Sequence, residues 1–176
     1  MIPKLNALSA LCALACFFMP WLDLRCSGKP ILTQTGIQTI TGRATPSGNL
    51  IPEDYESEKL DRAYLAGGAF LLGFLGSLAA LGGFFAVKKR RFLIQSGILS
   101  AGALTLLLAQ QSRKFPVDPL RIVESDRDFG QQIIQAALAG VITVQTTAWF
   151  YVTLGFLGLC VMFGFVALVD RSFGKR

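Results

Sequence analysis

Four cysteines are the residues of this chain best suited to covalent chemistry. Cys12 and Cys16 lie in the first apolar run, Cys160 lies in the last, and only Cys26 lies in a loop. Disulfide-carrier enzymes of the four-helix kind need a Cys-x-x-Cys pair or paired loop cysteines, because one thiolate must attack a neighbouring disulfide. The chain has neither, so the three cysteines in apolar runs are interpreted as packing residues. For Cys26, a buried free thiol, an intermolecular disulfide and a lipid attachment all remain open.

Other groups that catalyse reactions or hold metals are few. The 176 residues include no histidine, which is the commonest metal ligand and general base. The long apolar runs contain no acidic or basic side chain, whereas transporters and pumps usually place such groups inside the bilayer. We therefore predict no catalytic residue, no metal site and no cofactor.

The elements that must position any site are four apolar runs, each close to the length of about twenty residues that crosses a bilayer as a helix. The chain is 52% hydrophobic and only 16% charged, against about 25% charged in soluble domains. The predicted fold is an integral membrane α-helical protein, a four-helix transmembrane bundle forming a single membrane domain. Its predicted spans are residues 5–22, 63–87, 92–109 and 149–169.

Charged residues separate by side of the membrane. Lys4, the turn at 88–91 and the tail at 170–176 hold eight bases and one acid. The loop at 23–62 has five bases and six acids, and the loop at 110–148 has four of each. Because Lys and Arg in short loops stay cytoplasmic, we predict both termini inside, both long loops outside, and a location in the cytoplasmic membrane of a bacterium.

Two alternatives to this topology are disfavoured. The first run resembles a signal peptide in length, but it ends in Phe-Phe-Met-Pro-Trp, where a cleavage site needs small residues. The stretch at 133–144 is apolar, but twelve residues are too few to cross the membrane. A fifth span would also place the basic tail outside.

The first outer loop begins with a pattern typical of a half-buried strand. Apolar and charged residues alternate there in the order Leu22, Asp23, Leu24, Arg25 and Cys26. A turn at 27–30 follows, and residues 31–41 predict a second strand or a bulged pair.

The second outer loop predicts the elements that would complete this sheet. Residues 141–147 form a β-branched run that predicts a third strand. Residues 128–139 fit a short amphipathic helix. We expect a small extracytoplasmic cap of β-sheet and helix, with strands from both loops.

Small residues recur at every fourth position in the second span, as in closely packed membrane helices. Packing within the bundle and association with another membrane protein are both open interpretations. The candidate contact residues are Trp21, Arg25, Cys26, Gly73 and Gly76.

The net charge of +6 is explained by the lipid bilayer as a partner, since basic residues at the inner surface attract anionic head groups. The bases are not interleaved with exposed aromatic residues, so nucleic acid is not a predicted partner. Trp21, Trp149 and Tyr151 lie where spans one and four meet the outer interface, which is typical of an aromatic belt.

The Pro-Trp-Leu-Asp-Leu-Arg-Cys segment at 20–26, and a last span entered through threonines and Trp149, resemble small bacterial four-span membrane proteins. In outline the chain is also similar to claudins and related tetraspan proteins. That resemblance implies a four-helix bundle with an extracellular sheet. The Gly-Leu-Trp motif and second loop cysteine of claudins are missing, so a claudin-type disulfide and a barrier-forming role are not implied.

The sequence favours a non-enzymatic membrane protein that acts through protein–protein contacts as an accessory or scaffolding subunit, with a membrane-protein partner or as a homo-oligomer. One rival is a channel or small-solute transporter formed by an oligomer, with polar residues such as Gln95 and Thr105 lining the pore. Another is a membrane enzyme that uses Cys26, Asp23 or Glu53 at the outer interface. For Asn6 and Gln95, local interhelix hydrogen bonds are favoured over a pore.

Overall fold

The computed structural model describes residues 2–47, 62–85, 89–113 and 142–170. In chain order, the helices and strands of these residues are α1 Ile2–Cys16, β1 Pro20–Cys26, β2 Lys29–Thr35, α2 Gly36–Thr41, β3 Thr45–Pro46, α3 Tyr64–Phe85, α4 Lys89–Ser112, β4 Ile142–Thr146 and α5 Ala148–Val169.

Three helices are long and apolar enough to cross a membrane. They are α3, α4 and α5, with 22, 24 and 22 residues. The prediction of long apolar helices for the second, third and fourth runs is therefore confirmed. Residues 89–91, predicted as part of the turn at 88–91, belong to α4, which begins at Lys89.

The first apolar run contains two elements where one span was predicted. Helix α1 has 15 residues and ends at Cys16, and a turn at 17–19 leads into β1 at Pro20. In that turn the backbone N–H of Met19 donates to the carbonyl of Cys16 at 3.2 Å. Pro20 cannot continue the helix, since proline has no N–H to donate. The predicted end of this span at Leu22 was wrong.

The long helices and α1 pack beside one another. α1 contacts α3 and α5, and α4 contacts the same two helices. A close approach joins α4 to α5, where a β-carbon added to Gly97 would lie 2.8 Å from the Cα of Gly164. Small residues permit this approach between backbones.

Residues 31–41, predicted as a second strand or bulged pair, divide into a strand and a short helix. β2 ends at Thr35, and α2 follows directly. The Thr35 hydroxyl accepts from the Gln38 N–H at 3.1 Å, and the Gln38 side chain accepts from the Thr35 N–H at 2.9 Å. This reciprocal capping box begins the helix, and Gly42 ends it with φ of +71°.

The four strands form one antiparallel sheet in the order β3-β2-β1-β4. Strand β4 pairs with β1, so the prediction that both loops contribute strands to one sheet is confirmed. The turn predicted at 27–30 is present at Ser27 and Gly28, which both have positive φ, while Lys29 and Pro30 already belong to β2. The helix predicted at 128–139 lies outside the described residues.

The sheet meets one end of the helices through a continuous apolar core. Phe17, Trp21 and Leu22 of the α1–β1 segment pack with the helices that follow. The other buried residues in this cluster are Ala63, just before α3, and the helix residues Ala13, Ala66, Ala69, Ala103, Leu107, Phe150 and Leu157. The sheet is therefore joined to the helices by side-chain packing as well as by the chain.

Candidate functional site: the polar face of the sheet

Strand β1 separates its side chains onto two faces. Leu22 and Leu24 are buried, while Asp23 and Arg25 lie on the opposite face, because successive side chains of a strand alternate. The predicted alternation is confirmed.

Neighbouring strands extend the face that holds Asp23 and Arg25. Thr33 of β2 and Gln145 of β4 stand opposite Asp23, and Thr143 of β4 stands opposite Arg25. Directly opposed residues share a face. We define the polar face by these five residues: Asp23, Arg25, Thr33, Thr143 and Gln145.

An ion pair lies at the centre of the polar face. Nη2 of Arg25 donates to Oδ2 of Asp23 at 3.1 Å, and the exposed fractions of the two side chains are 37% and 14%. Nε of Arg25 is buried without a hydrogen-bond partner, which costs free energy. Because the Arg25 side chain is 37% exposed, the rest of its guanidinium can be reached by an acceptor on another molecule.

Trp21 lies beneath the sheet and fixes it to the helices. Its side chain is 0% exposed, and Nε1 donates to the carbonyl of Cys16 at 2.8 Å. Its ring centroid lies 4.6 Å from that of Phe17 and 5.4 Å from that of Phe150. The interpretations of Trp21 as a contact residue and as part of an aromatic belt were both wrong. A register shift between Pro20 and Leu22 lets both Trp21 and Leu22 enter the core.

Gly36 makes room for this tryptophan at the start of α2. A β-carbon added there would lie 2.8 Å from both the Phe17 carbonyl oxygen and Cε2 of Trp21. In addition, the N–H of Ile37 donates to the Phe17 carbonyl at 2.9 Å. The first turn of α2 is therefore seated directly on the aromatic pair.

A second connection fixes β4 at the entrance to α5. The backbone N–H of Thr147 donates to the Trp21 carbonyl at 2.8 Å, and its hydroxyl donates to the Pro20 carbonyl. The Tyr151 hydroxyl lies 2.9 Å from that of Thr146 and accepts from Gln111 at 3.4 Å. The sheet is thus fixed to α4 and α5 on this side.

Cys26 lies at the end of β1 and shares the face of Leu22 and Leu24 rather than that of Arg25. It is half-buried, and all four cysteines are free. Among the described residues, no group of three or more His, Cys, Asp or Glu side chains is arranged to hold a metal. The structure does not bring Cys26 and Arg25 onto one surface.

Gly73 and Gly76 lie inside the helix packing. A β-carbon added to Gly76 would lie 3.4 Å from both Cβ of Leu99 and Oγ of Ser100 on α4. Gly73 is also buried. Gly76 therefore lies against α4 within the chain, whereas a β-carbon added to Gly73 would meet nothing within 4 Å. The role of these two glycines as partner contacts stays a prediction.

Polar side chains within the helices form local hydrogen bonds. Nδ2 of Asn6 donates to Oγ of Ser96 at 3.3 Å, which confirms the predicted interhelix bond for Asn6. Oγ of Ser77 donates to the Ala10 carbonyl at 3.1 Å. Gln95 and Thr105, by contrast, are exposed on α4.

Arg90 has a role that the sequence analysis missed. Its Nε donates to the Ala167 carbonyl at 2.9 Å, and its Nη2 donates to the Leu168 carbonyl at 3.0 Å. A cation at a helix C-terminus satisfies carbonyls that have no partner within the helix. In the sequence, the bases at 88–91 were already explained by membrane topology, so nothing pointed to a bond between Arg90 and the end of α5.

Profiles of known protein families give no match to this chain, and comparison with curated protein sequences finds no similar protein.

Proposed function

We propose that this chain is a non-enzymatic, four-span protein of the cytoplasmic membrane that acts as an accessory or scaffolding subunit. In this proposal α1 crosses the membrane as well as α3, α4 and α5. Both termini are cytoplasmic, and the sheet forms an outer cap. The four bases at 88–91, between the second and third apolar runs, support this orientation, since Lys and Arg in short connections stay inside.

The observation that carries the proposal is the contrast between the two faces of the sheet. One face is buried against the helix ends through Leu22 and Trp21. The polar face is supplied by three strands and is centred on the Asp23–Arg25 pair. A supported surface of this kind suits docking, because little conformational entropy is lost when it binds.

The polar face also indicates the chemistry of the partner. Arg25 is charged and partly exposed, while Thr143 and Gln145 offer uncharged hydrogen-bonding groups. Arginine is enriched in protein interfaces, and its planar guanidinium can donate two parallel hydrogen bonds to one carboxylate. We expect a partner protein with an extracytoplasmic surface that presents an acidic side chain or backbone carbonyls to Arg25.

The test is purification in a mild detergent from native membranes, with an affinity tag at the C-terminus and mass spectrometry of the eluted complex. We expect a second protein in fixed stoichiometry, with its recovery reduced at least about tenfold by R25A. K29A is the matched control, because Lys29 is an exposed base at the start of β2, outside the polar face.

Three results would contradict the proposal. Recovery of the chain without a second protein would remove its basis. Equal partner recovery from the wild-type protein and R25A would remove the polar face as the docking surface. Equal losses from R25A and K29A would indicate a general effect of charge.

An oligomeric channel is the second candidate, and the exposure of Gln95 and Thr105 on α4 favours it. The Thr105 hydroxyl, however, already donates to the Ala101 carbonyl at 2.8 Å. Contact between Gly97 and Gly164 closes the space between α4 and α5 close to Gln95, so a pore lined by Gln95 would have to lie between chains. Ion flux into vesicles that falls in Q95L would support this function, and absence of flux would exclude it.

A further inference from the structure

Strand β4 is an edge of the sheet. One side of it pairs with β1, and among the described residues no strand pairs with its other side. Thr143, Val144 and Gln145 are consecutive and all exposed, so side chains on both faces of this strand are accessible. The exposed fraction of Val144 is 40%, although it stands opposite the buried Leu24.

The pairing with β1 determines which backbone groups of β4 point outward. The N–H of Thr147 donates to the Trp21 carbonyl, so Thr147 directs its backbone groups toward β1. Backbone direction alternates along an antiparallel ladder. Ile142, Val144 and Thr146 therefore direct their N–H and C=O groups away from β1, and Val144 is the middle of the three.

This edge lacks the features that normally prevent strands from pairing. Natural edge strands carry lysine, other charges, proline or a bulge to block association. The five residues of β4 are Ile-Thr-Val-Gln-Thr, and its ladder with β1 has no register shift.

We propose that β4 pairs antiparallel with β4 of a second copy of this chain, about a two-fold axis at Val144. This register places Val144 opposite itself, Thr143 opposite Gln145, and Ile142 opposite Thr146. Every outward-directed residue then faces another outward-directed residue. The Val144–Val144 pair and the Ile142–Thr146 pairs therefore each exchange two main-chain hydrogen bonds. No charge is placed opposite a like charge, and the β-branched side chains of Thr143 and Val144 stand opposite partners that suit a sheet.

The orientation of the sheet is compatible with two copies in one membrane. Two proteins inserted in the same direction must be related by an axis along the membrane normal. The two-fold axis between antiparallel strands is perpendicular to their sheet. Leu22, on one face of the sheet, packs with Leu107 and Phe150 near helix ends, so this face rests on the ends of the helices and the axis runs along them.

This dimer goes beyond the proposed function and does not depend on it. The polar face is centred on Arg25 of β1, whereas the dimer uses backbone groups of β4. If R25A leaves partner recovery unchanged, the proposed function fails and the dimer proposal stands. If the chain is monomeric, the dimer proposal fails and the proposed function stands.

The first test is oxidative cross-linking of full-length protein in native membranes, in a C26S background. V144C would place two cysteines opposite each other with Cα atoms about 5.5 Å apart, within the range of a disulfide. Q145C is the matched control, because its two copies would be offset by two residues and lie more than about 7 Å apart. We expect V144C to form a dimer at least about tenfold faster than Q145C.

Cross-linking at equal rates, or of V144C to a different protein, would overturn the proposal. The second test is the mass of the particle released from a mild detergent in a native mass spectrometer. We expect a dimer for the wild-type protein and V144T, and a monomer for V144P, which removes an outward N–H and leaves the ladder with β1 intact. A monomeric wild-type protein, or a dimeric V144P, would also overturn it.

Discussion

The helix packing and the junction between helices and sheet achieve close contact by opposite means. Where α4 crosses α5, Gly97 and Gly164 bring backbones together with no side chain between them. Where the sheet meets the helices, Phe17, Trp21 and Phe150 fill the space with aromatic rings. Lipid chains are as apolar as leucine, so helices in a bilayer gain mainly from close fit. A junction between a sheet and helix ends gains from burying large apolar area.

This comparison predicts the largest effect at the glycine contact. In G164L the new β-carbon would lie 2.7 Å from the Cα of Gly97, and only separation of the helices relieves a clash with backbone. We expect a loss of about 4 kcal/mol or more, measured as loss of the monodisperse peak in detergent. G155L is the control on the same helix, because nothing lies within 4 Å of that β-carbon. Similar behaviour of the two variants would contradict the role of the contact.

The aromatic junction predicts the next effect. W21A removes a side chain that is 0% exposed, and we expect a loss of about 3–5 kcal/mol in thermal or denaturant unfolding. W149A is the control, because Trp149 is 44% exposed, and it should change stability by less than about 1 kcal/mol. Equal effects would mean that Trp21 does not fix the sheet to the helices.

A smaller effect is predicted at the other end of the helices, where a side chain joins α4 to α5. R90Q should lose about 1–2 kcal/mol, because it removes a cation from the Ala167 and Leu168 carbonyls. R91Q removes the same charge from an exposed position and should be close to neutral. The difference in melting temperature between these variants separates the effect of the Arg90 hydrogen bonds from the effect of losing a charge. Equal melting temperatures would contradict a stabilising role for these bonds.

The sequence allowed the long helices to be predicted because their apolar runs match the width of a membrane. The pairing of strands from two distant loops was also predictable, since residues 20–26 and 141–147 both carry strand patterns. The end of α1 was not, because Phe17, Phe18 and Met19 are as apolar in a turn as in a span.

Two errors have a common physical origin in the irregularity of local structure. Alternation places every second residue of a strand on one face, but the register shift after Pro20 turned Trp21 inward as well. Likewise, the threonines at 33–41 suit a strand by propensity, while the capping box between Thr35 and Gln38 starts a helix. The signal for that helix, a threonine followed three residues later by glutamine, was present in the sequence.

The shortness of α1 has a consequence for the membrane itself. A helix of 15 residues rises about 22 Å, which is less than the hydrocarbon thickness of about 30 Å. If α1 spans as proposed, the bilayer beside it must thin or the helix must draw the sheet toward the lipid. Phe18 and Met19, which are exposed at its end, would then lie among acyl chains. Such hydrophobic mismatch directs proteins toward thinner membranes, so the protein should insert more efficiently as lipid chains become shorter.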